Sequence, residues 1–132
     1  MKHRLYLLAI AALLISCNGN KPERDYHGEM RAAADKYYTL LMDGRYEDFV
    51  DGLYTPDSLP ADYRSQLVDA VAQYRINETQ RRGGLEGFQV VGDSLGPDSC
   101  SGFVTIQLLF GDKSTEEILL PLVDDQGVWK MK

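Results

Sequence analysis

Apolar and polar positions along the chain change their spacing once, at Gly83-Gly84. Before that point the repeat is helical. From Asp25 to Asp43 the residues Tyr26, Met30, Ala33, Ala34, Tyr37 and Leu41 recur on one face, with Tyr38 and Leu40 on its flanks. Arg31, Asp35, Lys36 and Thr39 take the opposite side, and Gly44 supplies a C-terminal stop. A shorter helix follows in "RYEDFVDGLY", turning Tyr46, Phe49, Val50 and Leu53 inward. The segment "TPDSLP" ends it, because neither Pro56 nor Pro60 can continue a helical ladder. A third helix is predicted from about Pro60 to Arg82, with the stripe Tyr63, Leu67, Ala70, Val71 and Tyr74, which Glu78 prolongs.

After Gly84 the spacing becomes alternating. "GFQVV", "GFVTIQLLF", "TEEILLPLV" and "VWKMK" read as strands joined by the turn-formers "GDSLGPDS", "GDKS" and "DDQG". In the second strand Val104, Ile106, Leu108 and Phe110 make one apolar face, while Phe103, Thr105, Gln107 and Leu109 make a mixed one. Pro121 cannot donate to a ladder and belongs at an edge or a bulge. The pattern predicts an α+β domain: N-terminal helices packed on a curved four-stranded antiparallel sheet.

The first residues follow neither rule. Met1-Lys2-His3-Arg4 is a basic start, and the eleven residues Leu5–Ile15 are apolar. Eleven residues of helix rise about 16 Å, against a bilayer core of about 30 Å, so a permanent span is not expected. A secretory signal over 1–16 is. Leu14-Ile15-Ser16-Cys17 resembles the lipobox of bacterial lipoproteins. The resemblance implies cleavage before Cys17, a diacylglycerol on its sulfur, and a palmitate-type acyl group on its new amino terminus. The protein would then be held on the membrane of a bacterial envelope. Asn18 stands where an inner-membrane retention signal would place Asp, which points to the outer membrane. Residues 17–26 would form the lipidated cysteine and a flexible tether, and 27–132 a single domain.

Composition narrows the partners. Loss of Lys2 and Arg4 with the signal leaves 12 basic against 20 acidic residues, a net charge of −8. Nucleic acid and anionic lipid surfaces need neutralising cations, so neither is an expected partner. With Cys17 acylated only Cys100 remains, and no intramolecular disulfide can form.

Candidate chemistry is sparse. The sequence holds no phosphate-binding glycine loop, no Ser-His-Asp order and no cysteine–histidine metal set, and it implies no cofactor. His27 borders the first apolar stripe and reads as a solvated helix start. Asp93, Asp98, Asp112, Asp124 and Asp125 lie in predicted turns without the spacing of a calcium loop. Glu78, if its stripe stays buried, would be a desolvated carboxyl able to act as an acid or to pair with Arg81.

The run "AAADKYYTLLMDGRYEDFV", with Tyr37 and Tyr38 ahead of Asp43-Gly44, and the closing Gly127-Val128-Trp129-Lys130 resemble the nuclear-transport-factor-2-like superfamily. The layout is similar to that of small bacterial lipoproteins whose domain of this fold has no known function. The resemblance implies a sheet curved into a cone around the helices, with ligands at its wide end. Tyr37, Tyr38, Tyr74, Glu78 and Trp129 are the candidate cone-lining residues. With no catalytic set in view, the expectation is a non-catalytic module binding a small amphipathic ligand or an envelope protein. Two alternatives stand beside it. One is an assembly role, or a homodimer, through an outer sheet face made of Phe103, Leu109, Ile118, Leu120 and Leu122. The other is a small-molecule hydrolase, isomerase or dehydratase working in the cone.

Overall fold

A computed structural model describes residues 23–132. The signal at 1–16, Cys17 and most of the 17–26 tether lie outside the described residues. Helix α1 spans Tyr26–Met42, α2 Tyr46–Asp51 and α3 Ala61–Arg82; strands β1 Leu85–Leu95, β2 Ser101–Phe110, β3 Thr115–Asp125 and β4 Val128–Met131 follow. The strands pair in chain order as an antiparallel meander, with the helices on one face.

The element ends follow local chemistry. Asp25 caps α1 by accepting a hydrogen bond from the Gly28 amide at 3.0 Å, satisfying one of the free donors of the first turn. Gly83, at φ +79°, closes α3 in the left-handed conformation that costs a glycine least. Two-residue reversal between β3 and β4 places both Gln126 and Gly127 at positive φ, the pattern that matches strand twist in a tight hairpin.

The core fills the space between α1 and the concave side of the sheet. Val104, Ile106 and Phe110 are 0% exposed, and Met30 and Ala34 of α1 are equally inaccessible. Leu85, Leu108, Leu120, Leu122, Trp129 and Met131 complete the floor. All these residues lie between Met30 and Met131, so a chain lacking its first 17 residues keeps this core whole. Gly52, which follows α2, is required by a close approach. A Cβ there would stand 2.3 Å from Cε1 of Tyr37, a ring held by its own hydroxyl bond to the Trp129 carbonyl at 2.5 Å.

Two expectations change, and the Pro121 alternatives resolve to an edge. β1 does not stop at Val91 but runs on to Leu95, so the turn shrinks to residues 96–100. Register shifts between Leu85 and Gly87 and between Val90 and Gly92 interrupt the alternation, which hides the strand's second half from a period-two reading. These irregularities bend the sheet, and none falls at Pro121. Pro121 pairs with Phe103 in an unbroken β2–β3 register and lies where the β4 ladder runs out, its carbonyl accepting from the Lys132 amide. The outer sheet face also differs in membership. Ile118, Leu120 and Leu122 are paired with Ile106, Val104 and Gly102, and residues directly opposed across a ladder share a face. Those three therefore belong to the inner face; the outer one carries Phe103, Leu109 and Leu119, which is 60% exposed.

Candidate functional site

Helix α3 has the predicted apolar stripe, yet the structure leaves that stripe loosely covered. Tyr63 is 50% exposed and Tyr74 37%; Leu67 and Val71 are half-buried. The one fully buried side chain on the helix is the carboxylate of Glu78. Beneath the stripe lies a groove of about 290 Å³, near the lower end of the range for small-molecule sites. Its far wall is Tyr38 and Leu41 of α1 with Phe49, Val50 and Leu53; its roof is Leu67, Ala70, Val71 and Tyr74. A second depression of about 490 Å³ adjoins it at Leu53 and Leu67 and continues past Leu59 and Tyr63 to Met131. Together they form a trough along the underside of α3.

Polar clasps hold the helix over this trough. Near its start Arg64 donates to both carboxylate oxygens of Asp51, at 2.9 and 3.1 Å. Midway, Arg75 donates to the carbonyl of Leu41 at 2.5 Å, a cation placed at the negative end of α1. At the C-terminal end Arg82 bonds Glu116 of β3 at 2.9 Å, while Arg81 bonds Oε1 of Glu78 at 3.1 Å within the helix itself. Arg82 also lies 3.5 Å from Oε2 of Glu78 and covers the Phe110 ring at 4.5 Å. Oε2 of Glu78 is inaccessible and has no hydrogen-bond partner among the described residues.

The inner groove is lined by phenols, Phe49 and alkyl groups, and the adjoining depression adds Thr55, Asp57, Ser58 and Lys132. Tyr38 is 9% exposed and reaches in between Phe49, edge-on at 6.1 Å, and Phe88, tilted at 5.8 Å. Burial, reinforced by Tyr74, pushes its hydroxyl up to about 12. Tyr74 is raised as well, by burial first and then by the negative charges of Glu78 and Glu116. Both phenols are thus neutral donors at any physiological pH.

The sequence-predicted cone residues divide into two groups. Tyr38 and Tyr74 face each other across the groove, with Glu78 one turn beyond Tyr74. Tyr37 and Trp129 lie elsewhere, joined by the hydroxyl bond to the Trp129 carbonyl; the indole Nε1 donates to Glu29 at 3.2 Å. That hydrogen-bonded pair locks α1 to β4. Tyr37 is also raised by burial, as a closed-in structural phenol should be.

A polar cluster escaped the sequence reading. His27 is not simply solvated: its Nδ1 meets Asp93 on the inner side of β1, and Arg31 bonds the other Asp93 oxygen. The His27 contact, with Arg31 behind it, holds the Asp93 carboxyl below its usual range. Placing Asp93 in a turn concealed this, since only the extended β1 brings it under α1. The Asp93 side chain is 7% exposed, whereas the His27 ring is 60% exposed, so the cluster ties down the start of α1. Cys100 sits exposed in the β1–β2 turn, its amide bonded to Asp98. Among the described residues no three His, Cys, Asp or Glu side chains gather in a metal-binding group.

No family model matches the chain, and no curated protein matches it either. Solved structures do. One is a Campylobacter jejuni protein designated an NTF2-like transpeptidase, which superposes with a TM-score of 0.59 at 14% sequence identity, over 74% of this chain and 92% of that one. At that identity the likeness speaks for architecture alone. Helices on a curved four-stranded antiparallel sheet, with a hollow between α3 and the α1–α2 pair, give this chain the NTF2-like fold.

Proposed function

We propose that this protein is an envelope lipoprotein whose folded domain binds a small, largely apolar molecule in the trough beneath α3. The observation that carries the reading is the unfilled stripe. A 22-residue helix with Leu67, Val71 and Tyr74 aligned would ordinarily press them into a core, because exposed apolar area costs about 25 cal/mol per Å². Here polar clasps along the helix, from Arg64 to Asp51, Arg75 to Leu41 and Arg82 to Glu116, hold it in place while the apolar middle spans a hollow. A guest would gain the burial that the helix forgoes.

Binding is favoured over acyl transfer by the chemistry of the walls. The Campylobacter jejuni neighbour bears a transpeptidase name, and such a reaction needs a nucleophile with a base beside it. The inner groove offers alkyl groups, Phe49 and two phenols, and a phenol pushed up to about 12 is a poor nucleophile near neutrality. The Thr55 and Ser58 hydroxyls line only the adjoining depression, which has no lining histidine to serve as base. The test uses a chain beginning at Asn18 and the fluorescent probe N-phenyl-1-naphthylamine. Wild-type protein is expected to enhance the probe's emission saturably. Val71→Trp, which puts an indole into the trough, should weaken that binding at least tenfold, about 1.4 kcal/mol, with little change in melting temperature. Equal binding by the two proteins, or none by the wild type, would refute the reading.

The tether rests on Leu14–Cys17 alone. Protein isolated from its own cells is expected to begin at Cys17 and to carry the mass of its acyl chains. A full-length, unmodified chain in that preparation would remove the anchor from the proposal.

A further inference from the structure

We infer that the natural guest is an uncharged molecule that presents an acceptor oxygen (a carbonyl, ester or ether) to the hydroxyl of Tyr38. The inference rests on the trough reading above and adds the chemical class of the ligand. Tyr38 is nine-tenths buried and lines the groove; its hydroxyl makes no hydrogen bond among the described residues and stays accessible rather than sealed in the core. The neighbouring Tyr37 shows what such a group ordinarily does, since its hydroxyl is spent on a backbone carbonyl. A donor left open on a cavity wall is a point of recognition, where a guest's acceptor can replace water.

The sign of the partner follows from the surroundings. The Tyr38 phenol keeps its proton far above neutrality, so it donates and needs an acceptor. No lining residue of this groove is charged. Of the cations on this part of α3, Arg75 is committed to the Leu41 carbonyl and Arg82 to Glu116; Lys132 lines only the adjoining depression, where Asp57 also stands. A carboxylate or phosphate brought against Tyr38 would shed its hydration without a counter-charge, whereas a neutral carbonyl loses little and gains the bond. Aromatic contacts with Phe49 and Phe88 fix the Tyr38 ring, so the donor is positioned before the guest arrives.

Three probes of one shape test this on the chain beginning at Asn18: 2-acetylnaphthalene, 2-ethylnaphthalene and 2-naphthoate, titrated calorimetrically at pH 7. Tyr38→Phe is expected to weaken 2-acetylnaphthalene roughly three- to tenfold, the range of a single neutral hydrogen bond. It should leave 2-ethylnaphthalene unchanged, and 2-naphthoate should bind the wild type more weakly than the ketone. A carbonyl-¹³C label on bound 2-acetylnaphthalene should move downfield in the wild type, a reading that needs no variant. If both neutral probes bind but Tyr38→Phe alters neither, or alters both alike, the inference fails and the trough stands. Tighter binding of 2-naphthoate than of the ketone overturns the uncharged guest. If no probe binds the wild type, the trough reading falls and takes this inference with it.

Discussion

Replacing Phe110 by alanine is expected to destabilise the domain by about 3–5 kcal/mol, the cost of emptying a fully enclosed aromatic site. Phe110 is 0% exposed, ends the inner row of β2 and faces Leu85 across the ladder. Its ring also supports the Arg82 guanidinium, which holds Glu116 and stands beside Glu78. The truncation therefore removes core volume and loosens the C-terminal clasp of α3 together. Domains of this size are stable by only about 5–15 kcal/mol, so a large share of the total is at stake. In urea the midpoint should fall with the slope unchanged, since the surface exposed on unfolding stays nearly the same. Leu119→Ala, at a 60% exposed position on the outer face, provides the contrast and should change stability by no more than about 0.5 kcal/mol. Comparable losses at both sites would mean that the two sheet faces have been misassigned.

The architecture was legible where one physical rule governed a whole segment. Helical spacing ends and alternation begins at Gly83-Gly84, and the structure turns from α3 to β1 there. The row Val104, Ile106, Leu108 and Phe110 is buried as alternation requires. Legibility failed where two rules met. In β1 the bulges reset the alternation, and the polar run Gly92-Asp93-Ser94 pairs with Thr105, Val104 and Phe103 despite weak strand propensity. Tertiary pairing, which no local window contains, decided that segment. β3 misled in another way, because Ile118, Leu119, Leu120 and Leu122 include both faces and only the register assigns each residue to its side.

The candidate site was half visible for a related reason. A stripe of apolar residues at helical spacing marks the side of α3 that faces inward, but not what it faces. Packing against a core and spanning a hollow leave the same pattern in sequence. Tyr38 and Tyr37 are adjacent in the chain and alike in composition; a turn of 100° sends one to the groove and the other to Gly52 and Trp129. The burial of Glu78 depended on where the sheet ends relative to a long helix, a distance that only the assembled fold determines.

That buried carboxylate yields the second large effect, with the opposite sign. Glu78→Met is expected to stabilise the domain by about 1–3 kcal/mol, the cost of a buried polar group left short of hydrogen bonds, because its cationic neighbours lose no partner they need. Glu78 is 5% exposed, and among the described residues its Oε2 accepts no hydrogen bond, the Arg82 guanidinium standing off at 3.5 Å. It also sits within the last turns of α3, where the helix dipole disfavours negative charge. Removing it strands no cation. The Arg81 side chain is 63% exposed and can return to water, while Arg82 keeps Glu116 at 2.9 Å and the face of Phe110. Glu78→Gln should gain less, because a buried amide still lacks partners for its own polar atoms. Thermal unfolding of the three proteins should thus rank Met above Gln, and Gln at or above wild type. A Met variant that melts below the wild type would show that Glu78 clamps α3 after all. Should the ranking hold, Glu78 is a destabilising group that the fold keeps one turn beyond the trough's tyrosines. Probe binding by the Met variant then separates two roles: weakened binding ties the carboxylate to the guest, and unchanged binding confines it to setting the charge around Tyr74.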